Sequence, residues 1–324
     1  MDLSTLYYFS ELAKDLNMTR TAQRLFISQQ TLSNHIARLE DYYGTKLFYR
    51  KPSLSLTPAG RAVLSYAETA SLENERLKNH LSDILGQEDG TIRLGGNYTR
   101  LHAFLSQKLQ LFLKRYPKVS VTLLDILPSA SIESLLLRNE MDLGVVLYGK
   151  EHHRLLYQRV MTDEIFLCVS DRLLAEYYGD DAAGIRERSI ARGVDLHDFD
   201  RLPFYLFDNI RGRQVDVCFE EAGVTPRVMV RGVYTENATR VCFQGMVACF
   251  LSRMNLLEQG VHIPADLGIY RILYRGKPLA QEIALVRNRD NYMPAFTQYL
   301  WNMMADFYRE LGEVPLLTES SEEA

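Results

Sequence analysis

The chain has 324 residues, 47% of them hydrophobic and 24% charged, with 37 Lys and Arg against 41 Asp and Glu. That length allows two or three domains with substantial cores, and the composition excludes a disordered, collagen-like or uniformly basic polypeptide. The start of the chain has no basic segment leading into an apolar core, and no apolar run approaches the roughly 18 residues of a membrane span. A cytoplasmic protein without membrane association is therefore expected. Four cysteines, Cys168, Cys218, Cys242 and Cys249, show no CxxC spacing, which argues against a disulfide framework or a zinc site. No cofactor or metal is expected.

Residues 17 to 50 carry two short helical patterns split by a tight turn and followed by a basic ribbon. Thr19 to Leu25 reads as one helix, with the small Ala22 admitting a close neighbour. Phe26 and Ile27 make the turn, and Ser28 is a natural N-cap for the next helix. Leu32, Ile36 and Leu39 fall at i, i+4 and i+7, a buried stripe. The opposite face carries Gln29, Gln30, Thr31, Ser33 and Asn34, uncharged and rich in hydrogen-bonding groups. A carboxamide can pair bidentately with adenine in the major groove, so this face has the chemistry to read base edges. Over residues 16 to 58, six basic residues (Arg20, Arg24, Arg38, Lys46, Arg50, Lys51) face two acids (Glu40, Asp41). A basic segment in a net-acidic chain suits phosphate attraction confined to that segment. The expected DNA contacts are thus Ser28, Gln29, Gln30, Thr31, Ser33, Asn34 and Arg38, with Arg50 and Lys51 on the ribbon.

Thr57 and Pro58 make a strong helix start, and the helix runs to about Gly86. Within it Val63, Ala67, Ala70, Asn74, Leu77, Leu81 and Ile84 alternate spacings of four and three, the seam of a coiled coil, with Asn74 as the polar residue that fixes register. A homodimer is predicted, its two heads matching an operator of two-fold symmetry. A short polar hinge, Gln87 to Gly90, comes next. From there strands alternate with helices in two series: TIRLGG, VSVTLL and DLGVVLY, then LPFYLF, RVMVRGVY and MVACFLS. This predicts an α/β region with a largely parallel sheet.

The order of these segments resembles the LysR-type transcriptional regulators over nearly the whole chain. The resemblance is densest over residues 1 to 65: the leading helix, the Ala-containing second helix, Ser28-Gln29, Leu39-Glu40, then Gly44, Leu47, Phe48 and Arg50 leading into a wing. Leu56, Thr57, Pro58, Ala59 and Gly60 match the passage into a linker helix. Gln30 stands where the family commonly has Pro, Asn34 where it has Arg, and Ser53 where a second wing Arg is frequent. The resemblance implies a winged helix-turn-helix domain (all-α with a small β wing) over 1–58, a linker and dimerisation helix over 59–88, and an effector-binding domain over 89–324. That domain would resemble a periplasmic binding protein: subdomain I over about 89–162 and 269–312, subdomain II over about 163–268, the chain crossing between them twice, then a tail, 313–324; by its composition the acidic TESSEEA at the end of that tail is expected to be disordered. It also implies a tetramer of paired dimers, and contact with RNA polymerase if the protein activates.

In open α/β sheets ligands sit beyond the carboxyl ends of strands, where helix N-termini offer free N–H groups. The residues expected there are Thr99, Arg100, Ser129 and Tyr148 from the first series and Phe207, Tyr234 and Asn237 from the second. They suit a small polar effector, anionic if Arg100 faces inward. The stretch from about Leu174 to Leu202 is longer than the family pattern and charged, so a solvated loop or short surface helix is expected.

An enzyme would need a catalytic constellation, and GxxxxGK[ST], GxSxG and HExxH are all missing. The sequence therefore predicts a DNA-binding regulator that recognises an interrupted palindromic operator and responds to a small molecule. Alternatives are a redox-sensing regulator switching through cysteine chemistry, for which Cys242 and Cys249 lie two helical turns apart, and a solute-binding module without regulatory DNA binding.

Overall fold

The computed structural model describes residues 2–125, 131–258 and 262–316. Three helices open the chain: α1 (Leu3–Asp15), α2 (Met18–Arg24) and α3 (Gln29–Tyr43). The side chains of Asp2, Asn17 and Ser28 accept from the backbone N–H of Thr5, Arg20 and Thr31, so every one of these helices has a side-chain N-cap. Leu6, Phe9, Leu12, Ala22, Leu32, Ile36 and Leu39 bury together, with Leu47 and Phe48 from the wing. Each large apolar side chain among them contributes roughly 1.5–3 kcal/mol on burial. The wing is the hairpin β1 (Phe48–Tyr49) and β2 (Ser55–Leu56). Glu40, buried at the end of α3, fixes it: its carboxylate accepts from Leu47 N at 3.0 Å and from Lys46 Nζ at 2.7 Å.

Helix α4 (Pro58–Ile84) leaves the wing with Thr57 as N-cap and Pro58 at its first position. The expected dimer seam divides along it. Val63 and Ala67 are buried in the head's own core, because α1 lies against the first turns of α4, so they are not free for a partner. Ala70 is partly buried against the same core and Asn74 is half-buried along the same face. Leu77, Leu81 and Ile84 are 54%, 47% and 66% exposed and form an open apolar stripe. The other face of this half is fastened to the α/β region.

The α/β region begins with β3 (Gly90–Gly96), α5 (Tyr98–Phe104), which continues through a π turn into α6 (Gln110–Arg115), and β4 (Val119–Asp125). Next come α7 (Ile132–Leu137), β5 (Leu143–Leu147) and a 16-residue strand, β6 (Leu155–Ser170). The second series holds α8 (Asp171–Tyr178), α9 (Asp181–Arg192), β7 (Pro203–Phe207), α10 (Ile210–Ala222), β8 (Arg227–Gly232), α11 (Thr235–Phe243), β9 (Ala248–Ser252) and α12 (Arg253–Leu256). The chain closes with β10 (Leu267–Arg271), a small hairpin of β11 (Leu273–Tyr274) and β12 (Lys277–Pro278), β13 (Ala280–Asn288) and α13 (Ala295–Glu313). Among the described residues the main strand path is β4-β3-β5-β13-β6-β9-β7-β8, with β10 also on β6.

Two subdomains share β6. Its first part, Leu155 to Glu164, pairs antiparallel with β13, whose other edge joins β5, β3 and β4. Its second part, Ile165 to Ser170, lies between β9 and β10, and β9 leads to β7 and β8. One core packs α13 and the α5–α6 helix on the first sheet; another packs Leu173, Leu174, Ile185, Phe204 and Phe250 on the second.

Two expectations need correction. The sheet is mixed rather than largely parallel, because the crossing strands β6 and β13 run against their neighbours. Residues Ile269–Leu273, expected to begin the return to subdomain I, belong mostly to β10 and pair with Phe166–Cys168 in subdomain II; the return comes at β13. Of the two forms expected for the charged stretch after Leu173, the structure has the surface helix, α9, which buries only Ile185 and Ser189. Ser129 lies outside the described residues, as do positions 317–324 of the tail.

Between α4 and subdomain I the polar hinge is bridged. Asn79 Nδ2 donates to Thr91 O at 2.8 Å and Thr91 N donates to Asn79 Oδ1 at 3.2 Å, a two-bond amide pair. Arg76 meets Asp142 at 3.3 Å, and Arg93 meets Glu75 at 3.2 Å. Asp83 accepts from Tyr292 Oη and from Ala295 N, while the Tyr292 ring stacks on His80 with centroids 3.7 Å apart. These bonds make the end of α4 part of subdomain I.

At the other end of α4, a methyl group on Gly60 would stand 2.1 Å from the Leu47 carbonyl oxygen. Gly60→Ala should therefore destabilise the head by roughly 1–3 kcal/mol, the usual cost of overpacking. Urea unfolding followed by far-UV circular dichroism checks this, and an unchanged midpoint would mean the wing yields freely.

Candidate DNA-reading head and effector cleft

Helix α3 projects from the head because its apolar stripe is taken up by the core. Gln29, Gln30, Thr31, Asn34 and Arg38 line its outward side, Ser33 is half-buried, and Arg50 and Lys51 stand exposed on the wing. A groove of about 510 Å³ between helix and wing is lined by Gln29, Gln30, Ser33 and Arg50 among others. Ser28 Oγ caps Thr31 N at 2.9 Å and lies 2.8 Å from Thr31 Oγ1, so these two hydroxyls begin the helix. Gln30 Nε2 donates to Asn34 Oδ1 at 3.2 Å, which presents the two carboxamides as one unit.

Not every base in this segment faces outward. Arg24 is held by Glu11 and by Asp15 at 2.7 Å, and Lys46 by Glu40. The two carboxyls on Arg24 are held below their ordinary range: for Asp15 the cause is its hydrogen bonds from Arg24 and Thr21, while for Glu11 the opposing effect of burial is outweighed by the bonds from Lys14 and Arg24. Arg20, Arg38, Arg50 and Lys51 are left to the outer surface.

The second site lies where the subdomains meet. Asp163 sits on β6 one residue before the end of its first part, only 3% exposed, and accepts from Met254 N at 2.9 Å. Burial pushes its carboxyl above the usual range, while Met254 N–H, Arg211, Ser252 and Arg100 oppose that shift. Arg100 comes from subdomain I on α5 and Arg211 from subdomain II on α10. Burial lowers the Arg100 guanidinium to about 10, against the attraction of Asp163 and with the repulsion of Arg211. Burial also lowers Arg211, again against Asp163. Arg211 Nε and Nη1 are sealed from solvent and have no hydrogen-bond partner among the described residues, and Nη2 reaches Ser252 Oγ only at 3.5 Å. Gln281, the register partner of Asp163 on the second crossing strand, donates to Gln214 Oε1 at 2.7 Å.

Of the residues expected in the cleft, Phe207 lies beside this group, its ring 5.3 Å from the Arg211 guanidinium, and Arg100 is near enough to feel the charges of Asp163 and Arg211. Thr99 is half-buried beside Arg100. Tyr148 uses its hydroxyl on Glu151 at 2.6 Å and its ring beneath Arg159 at 4.0 Å. Tyr234 and Asn237 are exposed around the start of α11. Sequence reasoning missed Asp163, Arg211 and Ser252. Arg211 was within reach, standing just past the carboxyl end of LPFYLF by the same rule that selects Phe207.

The thiols are all free and buried. Cys168 and Cys249 are register partners on neighbouring strands, and Cys242 on α11 donates to Cys168 O at 3.3 Å. Burial raises Cys168 and Cys249 well above their ordinary range and Cys218 to about 11. Among the described residues no helix is long and apolar enough to cross a membrane.

A winged helix-turn-helix head, a long helix and a two-subdomain α/β region define a DNA-binding transcriptional regulator with an effector-binding domain. Comparison with known proteins agrees. Residues 3–61 match the model of the bacterial regulatory helix-turn-helix proteins of the lysR family, and residues 85–309 match the LysR substrate binding domain. The chain belongs to the LysR family. Similar curated proteins include the regulator YkuM of Bacillus subtilis, 29% identical over 53% of this chain and 60% of that protein. The regulator XapR of Escherichia coli is 33% identical over 44% of this chain and 49% of its own length. Among solved structures, full-length CbnR complexed with its target DNA is 19% identical and superposes with a TM-score of 0.64 over 96% of this chain and all of that one. Full-length OxyR of Pseudomonas aeruginosa is 16% identical, with a TM-score of 0.61 over 95% of both.

The exposed carboxamides and the wing arginine predict different losses. Gln29→Ala or Asn34→Ala should weaken binding to the operator by roughly 1–3 kcal/mol and leave binding to random DNA nearly unchanged. Arg50→Ala should weaken both and flatten the dependence on salt. Fluorescence anisotropy across a salt series separates them, and equal losses on operator and random DNA would remove Asn34 from the reading set.

Proposed function

We propose that this regulator binds an interrupted palindromic operator through α3 and the wing of two heads, in the cytoplasm, and that a small-molecule effector in the cleft between the subdomains sets its activity. The reading contacts would come from Gln29, Gln30, Ser33, Asn34 and Arg38, with Arg50 and Lys51 on the backbone. The observation that carries the reading is the charged group at the crossing of the subdomains: an arginine from each side faces one aspartate where β6 changes sheets. A molecule bound there touches both subdomains, so it changes their relative population of open and closed arrangements. Thr99 and Phe207 would complete the wall.

The exposed stripe Leu77, Leu81, Ile84 supports a homodimer through the second half of α4, and paired dimers would give the tetramer. If the protein activates, RNA polymerase is the further partner. The buried thiols favour a ligand over a thiol switch, because peroxide reacts with accessible thiolates; all four are covered, and burial keeps Cys168, Cys218 and Cys249 in the thiol form.

Leu77→Asp with Leu81→Asp places charge in the stripe, so the dimer should dissociate and operator affinity collapse with the reading face untouched. Sedimentation decides it; an intact dimer would place the interface elsewhere. For the effector, small metabolites are screened by thermal unfolding of the full chain, since a ligand of the folded state raises its midpoint. Operator binding is then measured with the hit and with peroxide. Replacing Cys168, Cys242 and Cys249 by Ala should preserve the metabolite response. A peroxide response that vanishes in this variant, with no metabolite response in the parent, would promote the thiol switch.

A further inference from the structure

The donors at the crossing are unequally served. Asp163 already receives Met254 N, and the attraction of both guanidiniums does not relieve Arg211 Nε and Nη1 of their missing acceptors. A buried N–H without an acceptor forfeits its hydration with nothing in return, and a buried guanidinium does so with a charge attached. Among the described residues, two arginines against one aspartate leave one positive charge uncompensated. The cations also come from opposite sides of the crossing, Arg100 on α5 and Arg211 on α10, and the charge on Arg211 disfavours that on Arg100. Arg211 and Gln214 lie three apart on α10 and face the two crossing strands, one toward Asp163 and the other bonded to Gln281. The first turn of α10 therefore follows any change of angle at the crossing. Close by is the ring of Phe207, 2% exposed, an apolar wall beside the charge.

We propose that the effector is a small monoanion, a carboxylate on an apolar body, whose carboxylate is held by Arg211 with Arg100 opposite, and that it closes the cleft by cancelling the repulsion between these two arginines. The inference rests on the effector reading and names its ligand class. A carboxylate matches the case: its two oxygens accept from guanidinium N–H bonds in a fixed fork, and its single charge equals the excess. The Asp163 carboxylate keeps the site from demanding a dianion. Closure then comes from charge balance. Without the anion the facing guanidiniums favour separation; with it, each is attracted to the same group.

The test uses the full chain and three matched pairs: acetate against acetamide, propionate against propionamide, benzoate against benzamide. Ionic strength is held constant with sodium chloride. Carboxylates should raise the unfolding midpoint by roughly 2–4 °C at concentrations well above their dissociation constants, and the carboxamides should not. In Arg211→Met the shift should disappear, and the unliganded variant should unfold at or above the parent midpoint, since an uncompensated buried charge has been removed. A residue there merely to hold Asp163 would give the opposite result, a less stable variant. Arg211→Lys should retain part of the shift.

Carboxamides that act as well as carboxylates would overturn the anion while leaving a cleft ligand. A midpoint that depends on chloride alone would assign the seat to an inorganic ion and overturn the carboxylate. No shift with any pair would overturn the proposal outright. Operator binding is read in parallel: a carboxylate that binds through Arg211 without changing operator affinity leaves the seat standing and rejects the effector reading.

Discussion

The ligand half of this protein depends on the continuity of one strand. The chain enters subdomain II along β6, and both sheets use it as a member. The partner changes at one step: Glu164 is the last residue matched to β13 and Ile165 the first matched to β9, while Ile165 N donates across to Leu279 O at 2.8 Å. Pulling the subdomains apart would break ladder bonds on both sides, which are costly to leave open inside a protein. Twisting about this step breaks none. The permitted motion is therefore a rotation, and the acids at the step, Asp163 and Glu164, are the groups that feel it. Glu164 lies against Arg271 and Arg253, so both acids answer to arginines.

The head obeys a different logic. Its shape comes from burial, with α3 held by a stripe of three aliphatic residues and the wing held by one buried carboxylate. Its attraction to DNA is narrower than the count of bases suggests, because Arg24 and Lys46 are tied to acids within the module. Exposed surface pairs contribute little stability; here the consequence is geometric, since the arginine bound to Glu11 and Asp15 braces α2 against α1. The outward charge is left to Arg20, Arg38, Arg50 and Lys51.

Most of the head was legible because its signals are local. Asn17 and Ser28 cap within three residues of themselves, and the period of Leu32, Ile36 and Leu39 needs no knowledge of the rest of the chain. Thr57 and Pro58 announce α4 in the same way. The seam was only half legible: periodicity marks Val63 and Ala67 as apolar, and it cannot say whether their cover comes from the same chain or another. β6 escaped because its first part, with Gln158, Arg159, Thr162, Asp163 and Glu164, has no continuous apolar run, and its pairing to β13 is set by a segment more than a hundred residues away. Arg211 escaped for a related reason. A charged residue in the first turn of a helix looks solvated until the fold sets a buried aspartate before it.

The amide pair between Asn79 and Thr91 welds a helix to the start of an inner strand, and geometry then turns the helix into a pointer. At 27 residues α4 is about 40 Å long. A tilt of roughly 5° at its welded end would carry its far end through about 3.5 Å, close to the rise of one base pair. The head rides on that far end, since α1 packs against the first turns of α4. A rearrangement of a few degrees in the α/β region is thus magnified into a displacement of the head by about one base-pair step.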